Sequence, residues 1–193
     1  MPSARCEPRG HRDSGAVAVE TASVSLLLII LLFGIVECSF LFKDWISVSA
    51  AARAGARMGA SQPRSPSFAQ DSANQVTNAI SDVTAANIQE VWVFKASGTT
   101  GLPDSGSFAG GCTTCVKFTW NAGTKSLSPS SGSWSSTLQD ACSGDPARDS
   151  LGVYVKYKHT SPLGFFFNNF MISESTVMWI EPWTSDTHCK PGA

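Results

Sequence analysis

The chain has 193 residues, with 14 Lys+Arg against 15 Asp+Glu and a formal net charge of -1. That balance excludes a strongly basic nucleic-acid binder and an acidic disordered tail. Only 15% of residues are charged while 42% are hydrophobic, against roughly 25% charged in ordinary soluble domains, so the apolar residues are expected to be concentrated in one segment. The length allows one domain of ordinary size plus an extension.

Residues 1–15, MPSARCEPRGHRDSG, are polar, with Arg5, Arg9 and Arg12 set against Glu7 and Asp13. No hydrophobic face can be drawn through them, and they are expected to be solvated and disordered. At Ala16 the character changes to AVAVETASVSLLLIILLFGIVECSFLF, with no charge between Glu20 and Glu37. The span from Ala16 to Phe42 is long enough for a bilayer, which needs about 20 apolar residues. Its centre, LLLIILLF, is apolar on every face, which excludes an amphipathic surface helix. A carboxylate at mid-membrane costs roughly 2.5–3.5 kcal/mol. Glu20, one turn inside the start, and Glu37, near the far end, are placed to reach an interface.

The helical pattern runs on through KDWISVSAAARAGARMGA, with no Pro between Ala16 and Ala60, and Ala is the best helix former. Trp45 falls where an aromatic-belt residue sits. Ala51, Ala54, Gly55 and Gly59 allow another backbone to approach closely. One continuous helix over 16–60 would be roughly 65–70 Å long at 1.5 Å per residue. That is about twice a bilayer core, so its second half is expected to protrude and to serve more than anchoring.

Gln62-Pro63-Arg64-Ser65-Pro66 breaks the helix. Ser67 is a candidate N-cap for a second helix, FAQDSANQVTNAISDV, with an apolar stripe of Phe68, Val76, Ile80 and Val83 and with Asp71 favourably placed for its dipole. The period then changes to two. EVWVFKA, Cys115–Ala122, Leu151–Thr160 and Ser173–Pro182 read as four strands rich in Val and aromatics. The connections are rich in Gly, Ser and Pro. The one after Ala122 is long for a structureless loop, and calls for a short helix near Ser135–Ala141 or a tie at Cys142. SPLGFFFNNFM, before the fourth strand, reads as a short buried helix or as an exposed contact surface.

The junction Ser14-Gly15-Ala16-Val17-Ala18-Val19-Glu20 resembles the processing site of the type IV pilin class. The resemblance implies that a prepilin peptidase cuts after Gly15 on the cytoplasmic side, leaving the apolar segment on the mature protein. Gly15 offers no side chain at the cleaved position, and Glu20 lies one turn from the new α-amino group of Ala16. In that class this carboxylate pairs with a neighbouring subunit's N-terminus, and neutralisation by the pairing would remove the membrane penalty. GAVAVE, LLFGIVE with Gly34 and Glu37, and AARAGAR together resemble the signature of TadE-like proteins, the minor pilin-like subunits of tight-adherence pili. The similarity covers about 45 of the 193 residues. The polar stretch Thr21, Ser23, Ser25 departs from the usual apolar pattern.

The order of elements, together with the resemblance over the first helix, implies an α+β fold. A long N-terminal transmembrane helix would continue into a pilin-like ectodomain with a second helix and an antiparallel sheet of about four strands. The expected organisation is a cytoplasmic leader removed from 1–15, a transmembrane and assembly helix over 16–60, and an exported ectodomain over 61–193. The expected function is structural, in pilus assembly. Its partners would be the major pilin, other minor pilins, the prepilin peptidase, the inner-membrane assembly platform and the lipid bilayer, without nucleic acid or cofactor. Lys43, Arg53 and Arg57 follow the span and match the three leader arginines in number. The positive-inside count is therefore indecisive, and orientation follows from the class. Competing readings are a cleavable secretory signal processed near Ser49-Ala50-Ala51, and a signal-anchored surface domain gripping a ligand through Trp134, Phe165–Phe167 and Phe170.

Cys6 would leave with the leader, and Cys38 would be a small apolar filler in the span. Cys112, Cys115, Cys142 and Cys189 fall in the part expected to be exported, where oxidation is the rule. Four cysteines allow three pairings. A bridge from Cys142 to Cys112 or Cys115 would close the long loop, with Cys189 stapling the C-terminal tail to the sheet. A redox-active C-x-x-C is disfavoured because a strand follows it. Zinc on these cysteines or His188 is disfavoured by the adjacent His188-Cys189 spacing. The other two histidines are His11 in the leader and His159, read as a surface or edge residue rather than a base. There is no G-x-S-x-G elbow and no phosphate loop. Asp140, Asp145 and Asp149 read as solvated turn residues rather than a calcium site.

Overall fold

The computed structural model describes residues 14–80, 83–144, 148–164, 167, 169–183 and 189–190. Most of the leader, with Cys6 and His11, lies outside the described residues, as do Asp145, Phe165, Phe166 and His188.

A single helix, α1 (Ser14–Ala60), runs without interruption, and its 47 residues extend for about 70 Å. After the Pro63 break, α2 (Phe68–Ala79) lies against it. Five antiparallel strands follow: β1 (Ile88–Ala96), β2 (Cys115–Asn121), β3 (Ser126–Ser133), β4 (Ser150–His159) and β5 (Phe170–Trp179). Their order in the sheet is β3-β2-β1-β4-β5, so the fold is α+β with β1 central. The expected four strands are thus five. The additional one, SLSPSSGS, is an edge strand, and the β2–β3 register shifts between Lys117↔Ser131 and Phe118↔Pro129. Pro has no N–H for a ladder and is tolerated at such an edge irregularity, so a run that reads as loop chemistry pairs as a strand. The expected short helix is a 3-10 turn at Ser136–Leu138.

The second half of α1 is packed into the head. Val48, Ala51, Ala52 and Ala56 are fully buried in one core with Phe68, Val76, Val91, Val93, Val153 and Val155. The small residues admit α2 of the same chain: a Cβ on Gly55 would lie 2.5 Å from Val76 Cγ2 and 3.1 Å from the Ser72 carbonyl oxygen. Ser72 Oγ donates to the Gly55 carbonyl at 2.7 Å. The α2 stripe is set as its period implies, with Phe68, Ala69, Ser72, Ala73 and Val76 buried. Ser67 holds the N-cap position, but its side chain does not cap the helix; its hydroxyl meets Ser65 Oγ instead, at 3.1 Å.

The opposite sheet face carries a smaller cluster of Trp92, Phe94, Ala96 and Cys115, with Phe108 and Tyr154 packed on it. Phe108 belongs to the β1–β2 connection and stacks on Tyr154 at 4.0 Å between ring centroids. Asp104 ties this connection down by accepting N–H bonds from Thr113 at 2.9 Å and Thr114 at 3.0 Å. Gly152 pairs with Phe94 across β1 and β4. Any Cβ there would strike the Phe94 ring at 2.3 Å, so the ring fills the place of the missing side chain.

Candidate functional site

The membrane-spanning candidate begins at Gly15 in α1, whose best 18-residue window has a mean hydropathy of 2.6 and is only 6% buried. Leu26 to Leu32 are all roughly half exposed or more, because nothing in the fold covers them. Gly15, Ala16 and Glu20 are exposed within the first turns of α1. Glu20 makes no ion pair among the described residues.

Glu37, expected at an interface, is instead fully buried. Its Oε1 accepts a hydrogen bond from Ser161 Oγ at 2.9 Å, which in turn accepts the amides of Leu163 at 3.2 Å and Gly164 at 3.1 Å. The turn after β4 is thereby pinned to α1. No sequence signal marked this contact, since it joins residues 124 positions apart.

Two further side chains seat the helix. Asp44 Oδ2 meets His159 Nδ1 at 2.7 Å, and His159 is 1% exposed, so it is an interior residue and not the surface or edge residue expected. Trp45, half exposed like a belt residue, donates its indole N–H to Glu174 on β5. Asn87 Nδ2 donates to Tyr157 Oη at 3.4 Å. Burial above all raises the pKa of that phenol, with the Asp44 charge adding to it.

The cysteines pair as Cys112–Cys115 and Cys142–Cys189. This overturns the expected bridge from Cys142 to the first pair. Cys142 instead reaches the C-terminal tail, where Ala141 N–H also donates to the Cys189 carbonyl at 2.9 Å. Both bridges use the thiols that a zinc site would need. Cys38 is free and half-buried. Asp149 is no solvated turn residue: it is 4% exposed and pairs with Lys95 at 2.6 Å. Asp140 caps the Cys142 amide at 3.2 Å. Among the described residues no group of three or more His, Cys, Asp or Glu is placed to hold a metal.

Trp134, named for the surface-binding reading, is 5% exposed and packs edge-on against Phe68 at 5.1 Å, where it can touch no ligand. Phe170 is 50% exposed. The interactions of Arg64 were not foreseen: its guanidinium donates to the carbonyls of Gln139 at 2.7 Å and Lys190 at 3.0 Å. No sequence signal marked them, since they join distant loops.

An uncovered apolar rod continuous with the core helix of an α+β head fits a single-pass membrane anchor. The family model described as TadE-like protein matches residues 15–57, beginning at Gly15 and ending within the last turn of α1. This is the family the sequence resembles. Nearly all of the α+β head beyond α1 lies outside the matched segment. No curated protein and no solved structure matches the chain.

Proposed function

We propose that the chain is a minor pseudopilin acting structurally, not catalytically, in the assembly of a tight-adherence pilus. A prepilin peptidase would remove residues 1–15, and the head would face outward. The contrast between two carboxylates on one helix carries this reading. Glu37 is satisfied inside the fold by Ser161, whereas Glu20 stands exposed on the uncovered rod. In lipid an unpaired carboxylate costs roughly 2.5–3.5 kcal/mol, which a neighbouring subunit's α-amino group at its own Ala16 would offset. Assembly would then be driven by completing that pair. The major pilin, other minor pilins and the assembly platform are the partners this requires.

Mass spectrometry of the protein from membrane fractions should give a mature N-terminus at Ala16. Glu20→Ala should abolish piliation while membrane insertion and the Cys142–Cys189 bridge persist. An intact leader in piliated cells, an N-terminus near Ala51, or normal pili from Glu20→Ala would refute the reading.

A further inference from the structure

The apolar surface of the molecule does not end with the uncharged stretch of α1. Phe42, Trp45 and Ile46 are 55%, 48% and 69% exposed, and beside them β5 opens with Phe170 and Met171 at 50% and 41%. Leu41, Phe42 and Trp45 from the helix, with Phe170, Met171 and Ile172 from the strand, line a largely apolar groove of about 360 Å³ that Ser173 and Glu174 complete. The depth of this groove follows from the helix. A hydrocarbon core of about 30 Å takes about 20 residues of α1. Counted from Glu20, where the uncharged stretch begins, it ends near Phe40. Residues 41–45 then occupy the next 7–8 Å, roughly the thickness of one headgroup layer. The pin from Ser161 to Glu37 ties the turn after β4 to α1 about one helical turn before this level, with Leu163 37% exposed beside it.

On the membrane-anchor reading of α1, we propose that the base of the ectodomain is a second membrane contact. The start of β5 lies in the headgroup layer of the bilayer that α1 spans, the turn after β4 lies where that layer meets the hydrocarbon, and phospholipid fills the groove. The occupant is lipid because the groove adjoins the lipid-facing surface of α1 and is lined mainly by apolar side chains, and because Phe42 and Trp45 stack at its lip, 6.2 Å between ring centroids. Aromatic side chains favour that depth. Two contacts hold the head at a fixed tilt on the membrane, where one would let it swing.

The test uses the full chain reconstituted in vesicles of phosphatidylcholine and phosphatidylglycerol carrying a photoactivatable diazirine near the headgroup. Labelled peptides are mapped by mass spectrometry. Label is expected on α1 and on the Leu163–Ile172 peptide, with the β1–β2 connection as an unlabelled internal blank. Phe170→Ser combined with Met171→Ser should lower label in that peptide several-fold while the Cys142–Cys189 bridge stays intact. Label on α1 alone, label unchanged by the double substitution, or cross-linking of two chains through Phe170 would overturn the proposal and leave the anchor standing. Absence of label from α1 would overturn the anchor reading itself.

Discussion

On β1, the Glu90 carboxylate accepts the Trp92 indole N–H at 2.9 Å and the Lys156 ammonium at 3.0 Å. Partial burial acts to raise its pKa. The hydrogen bonds from Trp92 and Lys156 and the charges of Lys156 and Lys117 outweigh that effect, so it falls below the ordinary value. The same contact, by hydrogen bond and charge, raises the Lys156 pKa. The two shifts act at opposite ends of the pH scale. A depressed carboxylate contributes stability above its unfolded pKa, and this is lost as pH falls through the lowered folded value. A raised ammonium contributes below its unfolded pKa, and this is lost as pH rises through the raised folded value. Glu90→Gln should therefore flatten the dependence of Tm on pH at both the acid and the alkaline ends, with little change in fold. Near-UV circular dichroism melts across the pH range check this; a variant with the wild-type acid slope would show that the pair contributes nothing. Asp104, which burial acts to raise but Thr113 and Thr114 hold down, keeps a share of the acid slope in either protein.

At the level of elements, the α1–α2 seam depends on one missing side chain. Gly55→Val would drive a branched side chain into Val76 and the Ser72 carbonyl, and overpacking of this kind costs about 1–3 kcal/mol. Urea unfolding should show a lower midpoint at unchanged slope, and Val76→Ala in the same chain should recover part of the loss through coupling of neighbours. A neutral Gly55→Val would mean that the helices separate without penalty. The seam was half legible in the sequence: Ala51, Gly55 and Gly59 signalled close approach, but spacing alone does not say which backbone approaches. α1 and α2 were readable because period and the Pro63 break are local signals. The strands containing Val91, Val153 and Val155 were readable because buried strands concentrate β-branched residues. β3 was not, since an edge strand buries little, and its serines and Pro129 answer to pairing with β2 rather than to a core. The exposed Gly15–Glu20 pattern was legible because it is contiguous. The seating of α1 through Ser161, His159 and Glu174 was not, because each contact joins residues more than a hundred positions apart.

The molecule is fastened to its long helix at both ends of the head. At the end next to the uncovered apolar rod, Ser161, His159 and Glu174 grip α1. At the distal end the last carbonyl of α1, at Ala60, accepts the Glu181 N–H at 2.8 Å, Trp183 N–H donates to the Ala141 carbonyl at 2.8 Å, and Arg64 reaches the carbonyls of Gln139 and Lys190. The distal set joins chain segments far apart in sequence, and the Cys142–Cys189 bridge, with a separation of 47, holds them together when the chain is unfolded. On the loop-entropy model such a closure contributes about 4 kcal/mol, against about 1.6 kcal/mol for the Cys112–Cys115 bridge with its separation of 3. The two bridges should therefore be unequal. Replacing Cys142 and Cys189 together by Ser should lower the unfolding free energy by about 2–5 kcal/mol and release the tail to proteolysis. Replacing Cys112 and Cys115 together should cost less and leave the tail protected, because the short bridge only shapes the entry to β2. Denaturant unfolding of the two double variants, with limited proteolysis followed by mass spectrometry, checks the order. Equal losses, or a tail cut equally in both, would show that the distal clamp holds through Arg64 and the backbone bonds without its covalent link.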